Sequence, residues 1–181
     1  MPRRPTGSAR AVSPRNQRIP SVRALTSFLR EAQAAVKLRG QVTVLLTTDA
    51  AIRRLNRQFR GKNKATDVLS FPAASGPVKI AGDLAISVPT ARRQAVERRH
   101  SLSIEIKVLA LHGLLHLAGY DHEIDTGEMD RLEQKIRVKL RLPHGLIERT
   151  VSPPTNLGAS SLPKSYRGKG GRARTARSVR P

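Results

Sequence analysis

The stretch from Ser103 to His122, SIEIKVLALHGLLHLAGYDH, decides how the rest of the chain is organised. Ile104, Val108, Leu111 and Leu115 recur at the 3.6-residue period of a helix. Ile106, Leu109, Ala110, Leu114 and Leu117 fill much of the remaining surface. A helix apolar nearly all round has to be buried, so the stretch predicts a central helix over about Ser103 to Ala118 with other layers around it. Gly119 can end it in the left-handed conformation. His112 and His116 stand four apart, on one face and one turn from each other. Past the reversal that Gly119 allows, His122 can return to the same point. Three imidazoles converging this way leave a fourth position open, the pattern of a catalytic zinc site rather than a closed structural one. A single Zn2+ ion there lowers the pKa of its bound water toward ~7. One isolated core histidine is ordinarily satisfied by backbone hydrogen bonds. Three of the chain's five histidines on this short stretch argue for a metal instead. His100 and His144 lie among polar and basic residues and read as surface side chains.

The same histidine spacing occurs in metzincin proteases, where a Glu directly after the first His is the general base. Gly113 stands at that place here and cannot accept a proton. A zinc peptidase is therefore a weak alternative, with Asp121 or Glu123 left as candidate bases.

Outward from the central helix, the pattern is that of an α+β domain. Ser21 can cap a helix running to about Arg39, with Gly40 as its stop. Residues 41–47, QVTVLLT, read as a buried strand. Asp49 can cap a short helix with Ile52, Leu55 and Phe59 on its core face. A polar loop from Gly61 to Ala65 leads to a strand over Val68 to Phe71, and residues 82–87 form another. Pro89 starts a basic helix to about Arg99. Asp125 and Glu128 have capping-box spacing for a last helix, whose core face is Met129, Leu132, Ile136 and Leu140 and which Pro143 ends. The expected fold is a small mixed β-sheet packed against several helices, with a metzincin-like helix carrying the zinc ligands.

Composition bounds the function. The 181 residues carry 34 Lys and Arg against 13 Asp and Glu, a net charge of +21. Residues 1–19 contribute five arginines and no acid, and residues 151–181 five arginines and two lysines with no acid. Both ends are rich in Pro, Gly and Ser, so they are expected to be flexible basic segments flanking a domain over residues 20–150. Such tails either keep a protein in solution or attract phosphate backbones without specificity. The excess of Arg over Lys favours the second, because guanidinium groups grip phosphate in bidentate fashion. With three Phe, two Tyr and no Trp, recognition by rows of stacked aromatics is not expected. The absence of Cys excludes disulfide scaffolds and thiolate metal sites. No run approaches the ~20 apolar residues of a membrane span. The Arg-rich, acid-free N-terminus also suits an organellar transit peptide.

Several blocks together carry a family resemblance. His112-Gly113-Leu114-Leu115-His116-Leu117-Ala118-Gly119-Tyr120-Asp121-His122 resembles the signature of the YbeY family of bacterial and organellar endoribonucleases. Leu55-Asn56, Phe59-Arg60 and Thr66-Asp67-Val68-Leu69-Ser70-Phe71-Pro72 resemble its second motif, and Gly82-Asp83-Leu84-Ala85-Ile86-Ser87 its third. Glu128-Met129 with Glu133 is similar to its final helix. The resemblance covers about residues 22–142. It implies a zinc-dependent endoribonuclease specific for single-stranded RNA. The implied roles are maturation of the 3′ end of 16S rRNA and ribosome quality control in the bacterial cytoplasm. The implied partners are rRNA, the small ribosomal subunit with its proteins, and an Era-type GTPase. The family's zinc ligands carry over to His112, His116 and His122, and its functionally important arginine to Arg60. Arg60 would bind the scissile phosphate and stabilise charge developing in the transition state. Asp67, Ser70 and Asp83 serve either the loop structure or the site.

The sequence departs from the family at its ends. Ala11 to Arg18, AVSPRNQR, stands where members have an apolar first strand, which leaves that strand missing or irregular and a sheet edge open. The basic tail after Leu142 is extra. A different class of reading, a non-catalytic ribosome-assembly factor with a structural metal, predicts that the biological role survives loss of Arg60.

Overall fold

The computed structural model describes residues 17–73, 80–121 and 125–143. The molecule divides into two units, Met1–Gly145 and Leu146–Pro181, and every described residue belongs to the first. The described elements run in the order α1 (Val22–Val36), β1 (Gln41–Thr47), α2 (Asp49–Arg60), β2 (Val68–Pro72), β3 (Ile80–Ser87), α3 (Val88–Glu97), α4 (Leu102–Leu117) and α5 (Glu128–Lys139). This is the α+β arrangement with a small mixed sheet that the sequence predicts.

The three described strands lie in the order β1-β3-β2. β3 pairs parallel with β1 and antiparallel with β2. Side chains alternate across a strand, so β3 serves two layers at once. Its Leu84 and Ile86 join the main core with α4, α1 and α5. Its Ala85 joins Ile52 of α2 and Leu69 of β2 in a smaller cluster on the other face.

α4 is buried nearly all round, as its composition requires. Ser101 caps it by accepting the Ile104 N–H at 3.2 Å. At its other end the Tyr120 N–H reaches back to the Leu115 carbonyl at 3.1 Å, with Gly119 at φ 92° between them. The chain thus reverses where the sequence predicts, and Tyr120 folds back onto the core.

Other boundaries and environments differ from the expectation. α1 is capped by Ser21 as predicted, but it ends at Val36 with Lys37 left-handed at φ 59°, short of Gly40. The Leu38 N–H bonds the Gln33 carbonyl and Leu38 packs on the core, which favours the early stop. Among the described strands β1 lies at an edge, and its side chains are half-buried and exposed in alternation rather than buried. Val42, Val44 and Leu46 pack inward, while Gln41, Thr43 and Leu45 look outward, with Leu45 53% exposed. α2 takes Thr48 as its cap, at 3.2 Å from the Ala51 N–H, which frees the Asp49 carboxylate for α3. Of the three apolar residues expected to face the core, Ile52 is buried and Leu55 half-buried, but Phe59 is 60% exposed. Asn56 is buried beside Ile52 instead. α5 has no capping box. Asp125 accepts the N–H groups of Gly127 and Met129 at 2.8 and 2.9 Å, and Glu128 is the first helical residue rather than the third. α5 ends at Lys139, before Pro143 is reached. The expected flexible ends and the Ala11–Arg18 departure fall largely outside the described residues.

Candidate metal centre

α4 presents His112 and His116 on one face, one helical turn apart. Their Nε2 atoms approach to 3.2 Å, with the rings nearly perpendicular at 82°. Two ligands at the Zn–N distance of about 2.0–2.1 Å and a tetrahedral angle stand about 3.3 Å apart. The observed separation therefore fits a pair of imidazoles sharing one zinc ion. His112 is buried and His116 half-buried, so a metal held between them would be open to solvent on one side. His122 lies outside the described residues. Among the described residues, two imidazoles converge and no group of three potential ligands forms.

The far nitrogen of His112, Nδ1, lies 2.9 Å from Oε2 of Glu133 on α5. Oε1 of the same carboxylate accepts from Arg137 Nε at 3.0 Å and Nη2 at 2.5 Å. Burial alone would push the Glu133 carboxyl up. The His112 hydrogen bond and charge, with the Arg137 guanidinium, outweigh it and hold the group at about 2. Glu133 was visible in the sequence as a carboxylate inside the apolar stripe of α5, one turn from Met129 and three residues before Ile136. Arg137 gave no such signal.

Gly113 faces the sheet, not the histidine pair. A Cβ there would come within 2.7 Å of a Leu84 methyl and 3.2 Å of Ser70 Oγ. Ser70 Oγ in turn donates to the Gly113 carbonyl at 3.2 Å. The residue after the first histidine therefore has neither the room nor the direction to be a peptidase's general base.

Arg60 ends α2 and is exposed. Among the described residues no hydrogen bond or ion pair joins it to either histidine. Its connection to them runs through β2. The Phe59 ring packs edge-on against Phe71 of β2 with centroids 5.2 Å apart, and β2 touches α4 at Ser70. Buried Asn56 donates to the Lys64 carbonyl at 2.7 Å and so holds the loop after α2. Arg53, Arg54, Arg57, Arg60, Lys62 and Lys64 are all exposed on this helix and loop, giving a basic surface with Asp49 as its one described acid before Asp67.

The remaining expected residues divide. Asp67 is a loop organiser, accepting the Val68 N–H at 2.8 Å and the Gln94 amide at 3.1 Å. Asp83 is exposed. His100 is not a surface side chain. It is 11% exposed and its Nε2 lies 2.5 Å from the fully buried Glu105, which Arg98 also meets. The buried carboxylate of α4 draws both side chains inward, because its oxygens need hydrogen-bond partners in place of lost water. His144 lies outside the described residues. No described helix is long and apolar enough to cross a membrane.

Residues 12–141 match the profile of the family described as Endoribonuclease YbeY. The chain is 54% identical over 133 residues to the endoribonuclease YbeY of Koribacter versatilis, spanning 74% of this chain and 86% of that protein. It is 46% identical over 105 residues to the chloroplastic endoribonuclease YBEY of Arabidopsis thaliana, spanning 56% of this chain and 18% of that one. A solution structure of TM1509 from Thermotoga maritima is similar at a TM-score of 0.49 and 29% identity, over 68% of this chain and 85% of that chain.

Proposed function

The chain belongs to the YbeY endoribonuclease family, and on that premise we propose that it is a zinc-dependent endoribonuclease that cuts single-stranded ribosomal RNA. The observation that most supports the metal is the 3.2 Å approach of the His112 and His116 Nε2 atoms. His112 and His116, with His122 as the third ligand, would hold the ion, which supplies Lewis acidity at the scissile phosphate. The chain's own residues do the rest. The exposed cations of α2 and its loop bind the phosphate backbone and set its path. Arg60 neutralises charge developing on the phosphate under attack. The buried packing of α4 fixes the backbone that carries the two histidines one turn apart.

The family resemblance extends the proposal to maturation of the 16S rRNA 3′ end and to ribosome quality control. The partners it adds are the small ribosomal subunit with its proteins and an Era-type GTPase. The compartment it adds is the bacterial cytoplasm, with an organelle as the alternative suggested by the chloroplastic relative. The lack of space at Gly113 counts against the peptidase reading.

The test is cleavage of a labelled single-stranded rRNA fragment by zinc-loaded protein, with His116→Ala purified identically. Cleavage by the native chain alone is the expected result. Ends bearing 5′-phosphate and 3′-OH would identify water as nucleophile, and a 2′,3′-cyclic phosphate the ribose 2′-OH. Equal cleavage by both proteins would remove the support for a metal nuclease. Binding without cleavage by either would favour the assembly-factor reading.

A further inference from the structure

A buried carboxylate has to account for its partners, because removing it from water is costly unless each oxygen is bonded. Glu133 does so asymmetrically. Oε1 is taken by both Arg137 donors, at 3.0 and 2.5 Å. Oε2 is left facing His112 Nδ1 at 2.9 Å, from the next element and 21 residues away. An ionised carboxylate can only accept, so the hydrogen between them sits on Nδ1. A neutral imidazole carries one N–H. With it on Nδ1, the lone pair is on Nε2, the atom that lies 3.2 Å from His116 Nε2.

We infer that Glu133, held by Arg137, is a positioning residue that fixes the tautomer and ring plane of His112 so that Nε2 is presented as a metal ligand. The inference rests on the metal reading above for its ligand half, and on the geometry alone for its tautomer half. It gives α5 a task beyond covering the core. Met129 and Ile136 seat the helix on the core, and the carboxylate between them is thereby aimed at α4. An i,i+4 ion pair between Glu133 and Arg137 would by itself support α5 and nothing else. The two roles separate experimentally, because a merely structural pair has no influence on which nitrogen of His112 carries the proton.

The experiment uses the full chain labelled with 15N-histidine, first without metal. Long-range nitrogen–proton correlation spectra report the tautomer of each ring. The native protein is expected to hold His112 with hydrogen on Nδ1. Glu133→Gln keeps the shape but can donate as well as accept, and is expected to mix the two tautomers. Zinc affinity, measured by competition with a chromophoric chelator, is expected to fall about 10–100-fold in the same variant. Arg137→Gln, which leaves the carboxylate but loosens it, is expected to give a smaller loss and serves as the test if Glu133→Gln does not fold. An unchanged His112 tautomer together with unchanged zinc affinity in the variants would overturn the inference. A native chain that binds no zinc would overturn the metal reading and the ligand half, and the tautomer spectra would still decide the positioning half.

Discussion

Ser70 Oγ and the Gly113 carbonyl meet at 3.2 Å across 43 residues of chain. This hydrogen bond ties the strand that follows the basic α2 surface to the helix turn between the two histidines. A Cβ at residue 113 would crowd the same serine oxygen at 3.2 Å. Gly113→Ala would gain up to ~1 kcal/mol of helix propensity. Its methyl would also press on Leu84 at 2.7 Å and Ser70 at 3.2 Å in a packed layer, an overpacking that costs ~1–3 kcal/mol. Net destabilisation of about 1–2 kcal/mol is expected in urea unfolding. Gly113→Glu, which restores the peptidase pattern, is expected to fold poorly and to cleave no peptide. Proteolysis of a peptide mixture by that variant would show that the sheet yields more than these distances imply.

Asn56 is the buried anchor of the loop after α2, through its bond to the Lys64 carbonyl at 2.7 Å. Asn56→Ala leaves a partly buried carbonyl without that donor, a loss of about 1–3 kcal/mol. The same change is expected to weaken RNA binding, because Lys62 and Lys64 lose their fixed position. If stability drops while RNA affinity stays constant, the loop does not need to be held for binding.

Asp49 supplies a pH dependence away from the histidines. Ser87 donates to its carboxylate, as does Thr90 at 2.8 Å, and Arg93 holds the other oxygen through two hydrogen bonds at 3.0 Å. The Ser87 hydrogen bond is the main cause holding its carboxyl below the usual 3.8, with Thr90 and Arg93 adding to it against burial. A carboxylate with a lowered folded-state value stabilises the protein above its unfolded value and stops doing so as pH falls through the folded one. Asp49→Asn is therefore expected to be less stable than the native chain at neutral pH. The gap narrows as the pH falls below 3.8. A stability gap constant from neutral pH to acid would show that the aspartate charge contributes nothing to the α2–α3 joint.

The parts of the fold legible in the sequence were those set by local chemistry. The apolar girdle of Ile104 to Leu117 marked α4, Gly119 marked its reversal, and Ser21 marked the start of α1. What was not legible depends on partners brought from elsewhere. QVTVLLT reads as buried, yet among the described strands β1 lies at an edge and only every second residue packs inward. Phe59 has the spacing of a core residue, but α2 covers the sheet through Ile52 and turns Phe59 outward against Phe71. His100 looks superficial until Glu105, buried in α4, requires a hydrogen-bond partner beside it. Of the candidate site, the i,i+4 geometry of His112 and His116 follows directly from the sequence. The pairing of Glu133 with His112 does not, because it needs the docking of α5.

The basic surface of α2 separates binding from chemistry. Arg53 and Arg60 are both exposed on the same helix, seven residues apart. Removing one cation that neutralises a phosphate of single-stranded RNA lowers the slope of log affinity against log salt by about 0.7. Arg53→Ala is expected to reduce affinity and flatten that slope while leaving the cleavage rate of bound RNA unchanged. Arg60→Lys keeps the charge but loses the planar fork, and is expected to retain the slope and lose cleavage rate by up to about 100–1,000-fold, the cost of removing a transition-state donor. Single-turnover cleavage at saturating protein, measured beside salt titrations of binding, distinguishes the two. If Arg60→Lys lowers affinity and leaves the single-turnover rate intact, Arg60 serves only to bind the backbone and the charge at the scissile phosphate must be met by another group.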